Sequence, residues 1–480
     1  MIRRVLALAC AGALLGGATT PDRLEPGRQG ETMPGEAHML AVPYSKGVDV
    51  VGHAAIGTRT GNLITAWAGH CAYVAGGGTL NANGTVGTEG DPTTAGVAVI
   101  DQRNPAAPHV VRYLQDKGAL HAAETMSAVD VPGRAVLAAS TYGGVAGING
   151  PKEGWLDLYD VSDCTHPKLT AEVKWPEPTH TITLAPNGRR LYGTVIQPFT
   201  GDGGIEVMDI ADLAHPRFLG KFAVTRADGT SYAFAPHEIS ISPDERRIYA
   251  GVIASKGGDL NQGIRIFPPN REGLGPEAGG IYILDNSDLV DGRPDPGMRL
   301  IGTVQHGGWH SAIQARIGGK PYLVGAGELI SCPGSWPRIS TIADPAHPHV
   351  VGQFRLAMNH AENCPAPDAA ARASGGIAFG PGNAASHFND VDSHTHTRLG
   401  LFPFMWAGLR IVDLRNPENP VEIAYFKPGD SCMSHVRDQA GLIEFACQDS
   451  GYWIIRLKPQ LARQLGMGAP PPAGTQARSR

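Results

Sequence analysis

The segment Leu409-Arg410-Ile411-Val412-Asp413 decides the fold of this chain, because versions of it return along most of the sequence. Each version is a short apolar stretch that ends in Asp, and most precede a turn with Pro, as Asn416-Pro417 does here. The other versions are Val97-Ala98-Val99-Ile100-Asp101, Leu156-Asp157-Leu158-Tyr159-Asp160, Ile205-Glu206-Val207-Met208-Asp209, Ile281-Tyr282-Ile283-Leu284-Asp285 and Ile339-Ser340-Thr341-Ile342-Ala343-Asp344. Most are followed by a second β-rich stretch, so each predicts a strand, a turn and another strand.

A second repeated segment lies between these copies and also predicts a hairpin. His180-Thr181-Ile182-Thr183-Leu184 precedes the turn Pro186-Asn187-Gly188, and His237-Glu238-Ile239-Ser240-Ile241 precedes Pro243-Asp244. The alternation of apolar and polar residues on both sides of these turns is typical of β-strands. We interpret these segments as inner hairpins and the Asp-ending segments as outer hairpins.

One inner and one outer hairpin make a four-stranded blade, and blades arranged around an axis leave few open sheet edges. The repeat length of roughly 50 to 75 residues suits such blades better than a helical solenoid. Inner hairpins are predicted to begin near Asn62, Glu124, His180, His237, His310, His387 and His435. The sequence therefore predicts an all-β fold, a seven-bladed β-propeller with a central His-lined funnel, over residues 48–460.

The last blade predicts how the ring closes. Only one outer strand, at residues 452–457, follows its inner hairpin. The strand-like segment Val48-Asp49-Val50-Val51-Gly52 at the other end of the chain is expected to supply the missing strand.

The composition agrees with many short strands joined by turns. The 480 residues include 63 Gly and 38 Pro but only 18% charged residues, without a low-complexity run. The net charge is −5 and neither sign forms long blocks, which disfavours nucleic acid as a partner.

The two ends of the chain are expected to lie outside the propeller. Residues 1–18 combine Arg3 and Arg4 with a short apolar stretch and small residues, which predicts a signal peptide and a periplasmic or secreted protein. Cys10 leaves lipoprotein processing open, although Ala7 stands where such signals usually carry Leu. Residues 19–47 are interpreted as an N-terminal extension and residues 461–480 as a disordered tail. No other segment is long and apolar enough for an integral membrane span.

The cysteines favour disulfides. The six that follow the predicted signal peptide are Cys71, Cys164, Cys332, Cys364, Cys432 and Cys447. Their even number suits an oxidising compartment. Cys432 and Cys447 form the best candidate pair, because a turn at Gln439-Ala440-Gly441 brings their segments together. Two buried free thiols are the alternative.

The repeat carries a family resemblance. The segment Leu409-Arg410-Ile411-Val412-Asp413-Leu414 with Asn416-Pro417 resembles the LVIVD repeat of bacterial exported propeller proteins, over about residues 95–457. This resemblance implies a propeller more strongly than it implies a function. A more remote likeness is to the selenium-binding protein and methanethiol oxidase group, propellers with a histidine-bound copper, which implies metal chemistry only by analogy.

Histidines recur at one position of the inner hairpins. His180, His237, His310 and His387 align there, and His435 joins them if its turn corresponds to Asn187-Gly188. Inner strands line the axis of a propeller, so these side chains are expected to converge. A shared transition metal satisfies several neutral imidazoles at once, which predicts metal binding by these four histidines, with Cu or Fe first and Zn next. The alternative is that they cap strand ends.

Further residues are candidates for proton transfer and for orienting the metal ligands. His435 is the least certain member of the ring, so we assign it, with Glu238, a catalytic role in moving protons. Carboxylates that accept the outer ring proton of a histidine orient metal ligands, and Glu124, Glu238 and Glu328 are candidates.

Two functions remain open from the sequence. The first is a metal-dependent oxidoreductase acting on a small organic or sulfur-containing molecule that enters the funnel. The second is a non-enzymatic binding propeller at the periplasm or cell surface. The sequence has no GxSxG, HExxH, GxGxxG, P-loop or CxxCH motif, which disfavours serine hydrolases and nucleotide-using enzymes. The oligomeric state is unknown from the sequence.

Overall fold

The computed structural model describes residues 22, 43–57, 59, 61–76, 92–143, 153–196, 203–255, 280–305, 309–327, 335–360 and 385–467. Within them the chain forms seven sheets, and each contains a blade of four antiparallel strands. Six blades use four strands that follow one another in the described chain, and the seventh takes one strand from the beginning of the chain. This arrangement confirms the predicted seven-bladed β-propeller.

The blades follow one another along the chain. Blade 1 contains β3 (Asn62–Ala68), β4 (Cys71–Gly76), β5 (Gly96–Asp101) and β6 (His109–Leu114). Blade 2 contains β7 (Met126–Val131), β8 (Arg134–Ser140), β9 (Gly154–Asp160) and β10 (Lys168–Trp175). Blade 3 contains β11 (Ile182–Leu184), β12 (Arg190–Val195), β13 (Gly204–Asp209) and β14 (Arg217–Phe222). Blade 4 contains β17 (Phe234–Ile241), β18 (Arg247–Ser255), β19 (Gly280–Asp285) and β20 (Met298–Gln305), with a short addition of β15 (Val224–Thr225) and β16 (Ser231–Tyr232).

Blades 5, 6 and 7 complete the ring, and blades 6 and 7 include strands from the beginning of the chain. Blade 5 contains β21 (Trp309–Ile317), β22 (Lys320–Gly327), β23 (Arg338–Thr341) and β24 (His349–Gln353). Blade 6 contains β25 (Asp390–Val391), β26 (Leu399–Pro403), β27 (Leu409–Asp413) and β28 (Val421–Lys427), extended by β1 (Tyr44–Lys46). Blade 7 contains β29 (Val436–Gln439), β30 (Leu442–Cys447) and β31 (Gly451–Leu457), and β2 (Val48–Ala54) completes it. The short helices of the described part are α1 (Lys117–Leu120), α2 (Ser287–Val290) and α3 (Pro459–Gln464), with 3-10 turns at Pro92–Thr94 and Ala357–Asn359.

Strand β2 closes the ring as predicted. It pairs antiparallel with β31, with Val48 opposite Leu457 and Ala54 opposite Tyr452. The two ends of the propeller are thereby held by backbone hydrogen bonds within a single sheet.

The hydrophobic core is divided among the gaps between blades. Seven of the apolar clusters each join two neighbouring blades, including blade 7 with blade 1 through Ile454 and Val74. Middle strands are buried on both faces, as in β5, whereas outer strands such as β6 are partly exposed. Each large apolar side chain buried in this way stabilises the fold by roughly 2 kcal/mol.

The Pro-containing turns pack against the neighbouring blade. A Cβ placed on Gly302 of β20 would lie 2.2 Å from the carbonyl oxygen of Pro345. Gly352 of β24 approaches the carbonyl of Pro417 in the same way. The repeated turn and the repeated glycine of the outer strand are therefore two halves of one contact between blades.

Two disulfides join described residues. The pair Cys432–Cys447 confirms the prediction, and Cys71–Cys164, which we did not single out, connects blade 1 to the outer turn of blade 2. Cys332 and Cys364 lie outside the described residues.

The predicted domain boundaries change at both ends. β1 lies in the stretch that we interpreted as an N-terminal extension, but its backbone pairs with β28 and so joins the sheet of blade 6. At the other end, Leu465 of the predicted tail is only 4% exposed after α3, so the ordered part extends to at least residue 467. The predicted signal peptide and residues 468–480 lie outside the described residues. Within the described part, the helices lack the length and apolar character needed to cross a bilayer.

Candidate metal centre

Four histidines lie in a row where the inner strands of four consecutive blades begin. His180 and His387 shortly precede β11 and β25, and His237 and His310 belong to β17 and β21. Their ring centroids are 4.1 Å apart for His180–His237, 3.9 Å for His237–His310 and 4.1 Å for His310–His387. None is more than 3% exposed. The structure therefore brings together the four histidines that we selected as metal ligands.

Close contacts define the positions of three ring nitrogens in the row. His180 Nε2 and His237 Nε2 are 2.8 Å apart. His387 Nδ1 lies 2.7 Å from the carbonyl oxygen of Met433, which can only accept a hydrogen bond. The neutral His387 ring consequently carries its proton on Nδ1 and keeps a lone pair on Nε2, as metal-ligating histidines do.

His310, which lies between His237 and His387 in the row, is held in its neutral form. Burial, together with the imidazoles of His237 and His387, lowers the pKa of His310 well below its usual value. A neutral imidazole is the form in which histidine acts as a ligand.

Glu124 extends the row on the side of blade 2. Its Oε2 lies 3.5 Å from His180 Nε2, and its Oε1 lies 3.9 Å from His387 Nε2. The side chain is 6% exposed, and ligand atoms of Glu124, His237 and His310 all lie within 4.8 Å of one another. We expected Glu124 to accept an outer ring proton, but its oxygens lie on the Nε2 side of His180 and His387.

Glu238 lies behind the row and connects it to His435. Its Oε2 is 3.8 Å from His310 Nδ1, and its Oε1 is 2.8 Å from His435 Nε2. His435 Nδ1 lies 3.2 Å from the carbonyl oxygen of Thr65, which fixes the ring on both sides. The His435 side chain is 27% exposed, so this pair links a solvent-accessible imidazole to a fully buried one.

His435 does not join the row, although the alignment left that open. Its ring packs against Phe388 at a centroid distance of 4.2 Å. Phe388 also contacts the rings of His310 and His387, each at 4.5 Å. His435 directly precedes β29, and its contacts are to Phe388, Glu238 and Thr65.

Apolar side chains flank the other side of the row. Tyr142 lies 5.2 Å from His180 between ring centroids. The same apolar cluster contains Met405 and Met433, with Trp406 packed against it. Phe402 and Phe404, which follow His387 in the sequence, pack between blades 5 and 6.

Several other candidates lie away from this centre. His394 is 57% exposed and contacts Asp390 at 3.3 Å, so it belongs to the surface. The two other His, Cys and acidic groupings within the described residues contain disulfide-bonded cysteines, which lack free thiolates. Glu328 lies outside the described residues.

Sequence reasoning underestimated Glu124, Phe388 and Tyr142. A signal existed for Glu124, because Glu124-Thr125-Met126-Ser127 parallels His180-Thr181-Ile182-Thr183. Phe388 and Tyr142 carry no such signal, because an aromatic residue beside a strand is usually packing between blades.

Comparisons with known proteins show only a general likeness of fold. A scan against models of known families gives no match, and no curated protein matches either. The β-propeller domain of Cps50 (Swd1) from Myceliophteria thermophila is 11% identical, with a TM-score of 0.49, covering 87% of this chain and 100% of that chain. Hydrazine synthase from Kuenenia stuttgartiensis is 12% identical, with a TM-score of 0.48, covering 83% of this chain and 96% of that chain. TM-scores below 0.5 carry no argument, so the assignment of the fold rests on the sheet topology of the chain itself.

Proposed function

We propose that this protein is an exported metal-binding propeller that acts as a metal-dependent oxidoreductase on a small organic or sulfur-containing molecule. His180, His237, His310 and His387 would hold a transition metal, with Cu or Fe preferred over Zn. The observation that carries the proposal is the convergence of four buried imidazoles from four blades, with neighbouring ring centroids 3.9 to 4.1 Å apart. Such a metal would supply the redox or Lewis-acid chemistry of the site.

Two of the separations between donor atoms fit a shared ion. Ligands that lie about 2.1 Å from a metal are about 3.0 to 3.4 Å from their neighbours and about 4.2 Å from a ligand opposite. His180 and His237 are separated by 2.8 Å, and His180 and Glu124 by 3.5 Å. Both separations are close to the distance expected between neighbouring ligands. His180, His237 and Glu124 are thus already close to the positions that ligands of one ion would take.

Glu238 and His435 support the catalytic part of the proposal. The carboxylate of Glu238 stands between the partly exposed imidazole of His435 and the buried ring of His310. A proton that reaches His435 Nε2 from solvent can pass to Glu238 Oε1 over 2.8 Å. The pair is therefore suited to hold or move a proton beside the centre.

Export and family membership belong to the proposal as well. The disulfides Cys71–Cys164 and Cys432–Cys447 suit an oxidising compartment, which agrees with a signal peptide at residues 1–18. We also propose membership of the LVIVD-repeat propellers, on the repeat segments ending in Asp209 and Asp413.

A non-enzymatic binding propeller is the second candidate. The observation in its favour is that His310 and His387 are 0% exposed and that Phe388 covers both rings. A metal without an open coordination position is typical of a structural site.

Metal analysis of the purified protein tests the proposal. We expect about one equivalent of Cu or Fe per chain, lost in His237→Ala and in His310→Ala while circular dichroism reports an intact fold. His347→Ala is the matched control, because His347 recurs in the blade turns but is 84% exposed. If the wild-type protein holds no metal after growth with added Cu, Fe and Zn, the oxidoreductase proposal is wrong.

A screen for oxidase activity then separates the two candidates. With the metal present, oxygen consumption with small thiols or other small organic compounds supports the enzyme. Glu238→Gln should then lower turnover and shift its pH profile while the metal content remains. A loaded protein that is inactive with every compound and binds no exogenous ligand at the metal favours the binding propeller.

A further inference from the structure

We infer that Glu124 is itself a metal ligand, so that the site combines four imidazoles with one carboxylate and selects a divalent ion of the iron(II) type. This inference rests on the proposed function, because it concerns the same centre. It extends the ligand set from four blades to five.

The first argument is position within the blade. In blade 3 the backbone N–H of Thr194 donates to the carbonyl of Thr181, and in blade 2 that of Ser140 donates to the carbonyl of Thr125, both at 2.9 Å. Strand registers agree, since Ile182 is opposite Gly193 and Met126 is opposite Ala139. Glu124 precedes Thr125 as His180 precedes Thr181, so Glu124 occupies the histidine position of blade 2.

The second argument is orientation. The Glu124 oxygens face Nε2 of His180 and Nε2 of His387, and His180 uses the same Nε2 to approach His237. Glu238, in contrast, faces Nδ1 of His310. A carboxylate that orients a ligand lies behind its ring, as Glu238 does, whereas a carboxylate that binds the metal lies among the donor atoms.

The third argument is charge. Four neutral imidazoles leave both charges of a divalent ion uncompensated in a buried site, where an isolated charge is strongly disfavoured. One carboxylate at 6% exposure removes half of that charge and is itself neutralised. The charge of Glu124 and the charge of the ion thereby offset each other, which makes the burial of both less unfavourable.

The carboxylate narrows the choice of metal. Mixed imidazole and carboxylate ligands are typical of non-haem iron(II) sites, whereas copper(I) favours softer ligands. The expected resident ion is therefore iron(II), with cobalt(II) as its spectroscopic substitute.

Cobalt(II) titration of the full-length protein, stripped of metal with a chelator, tests the inference. We expect Glu124→Gln to weaken Co²⁺ binding by more than about tenfold and to change the visible d–d spectrum, because the number of ligands falls. Glu238→Gln is the matched control: because Glu238 lies on the Nδ1 side of His310, the protein should still bind Co²⁺ with the d–d band at the same position and intensity. In the wild type, Fe²⁺ added without oxygen should displace Co²⁺ more effectively in competition than it does in Glu124→Gln.

Glu124→His keeps the measurement decisive if Glu124→Gln does not fold. An imidazole at this position should restore tight Co²⁺ binding with a shifted spectrum, because a nitrogen replaces an oxygen donor. A wild-type spectrum in either Glu124 variant would overturn the inference and leave the four-histidine site intact. A wild-type protein that binds neither Co²⁺ nor Fe²⁺ would instead overturn the proposed metal function itself.

Discussion

Two sets of histidines recur in this propeller, one near the axis and one in the outer turns. His166, His215 and His347 each lie within 3.1 Å of an Asp three residues earlier in the same turn, and their side chains are 64% to 84% exposed. The axial histidines are at most 3% exposed, and their closest imidazole neighbours come from other blades. The same residue type, repeated in the same way, has therefore become a local turn contact in one place and a shared cluster in the other.

Recurrence of a histidine therefore does not by itself identify a metal site. A repeated residue near the axis meets its copies, because the inner strands of consecutive blades are neighbours. A repeated residue at the rim is separated from its copies by the width of a blade, so each must find a partner within its own turn. The radial position of the repeat decides which outcome occurs.

The two disulfides provide the largest expected effect outside the metal ligands, and only Cys432–Cys447 adjoins a residue that contacts the row of histidines. Replacing Cys71 and Cys164 with Ser should lower the free energy of unfolding by about 4 kcal/mol, since the bond closes a long loop. The loss for Cys432 and Cys447 should be about 3 kcal/mol. Urea denaturation of both double variants measures the two values.

Metal content should separate the same two variants. Met433 follows Cys432 directly, and the Met433 carbonyl accepts a hydrogen bond from His387 Nδ1. The Cys432→Ser, Cys447→Ser variant should therefore bind metal more weakly, and the Cys71→Ser, Cys164→Ser variant should bind it normally. Equal metal affinity in both variants would contradict a positioning role for the Cys432–Cys447 disulfide.

A buried carboxylate, Asp157, is expected to have a smaller effect on the free energy of unfolding than the disulfides. Asp157 of β9 accepts hydrogen bonds from the Ala119 N–H at 2.8 Å and from the Tyr159 hydroxyl at 3.4 Å. Burial raises its pKa from 3.8 to about 7. Between these pH values the folded chain binds a proton that the unfolded chain does not, so Asp157 stabilises the fold less as pH rises.

Asp157→Asn should therefore flatten the decline of stability between about pH 4 and pH 7. The difference between wild type and variant should change by a few kcal/mol over this range, because one pKa unit corresponds to about 1.4 kcal/mol. Denaturant titrations at pH 5 and pH 8 measure it. Parallel pH dependence of the two proteins would show that Asp157 is ionised in the folded state.

The turn histidines should give the smallest effect. His215→Ala removes a contact of 2.9 Å with Asp212, but the imidazole is 82% exposed to water. We expect a change in melting temperature below about 1 °C and no change in metal content. A large loss of stability would mean that the rim turns hold the blades together through this imidazole.

The sequence determined the propeller itself. The Asp-ending segments and the inner hairpins recur because each blade needs the same strands and turns, and this pattern yielded seven blades, closure by Val48–Gly52 and the row of four histidines. These features depend on alternation, turn chemistry and repeat position, which are local properties of the chain.

Only the tertiary structure decided how side chains from different blades meet. It put Glu124 among the imidazoles, moved His435 behind Phe388 to Glu238, and joined Cys71 to Cys164 across two blades. Each of these contacts depends on the depth and rotation of one blade relative to another. Alternation and turn chemistry specify each strand, but they do not specify how one blade is placed against another.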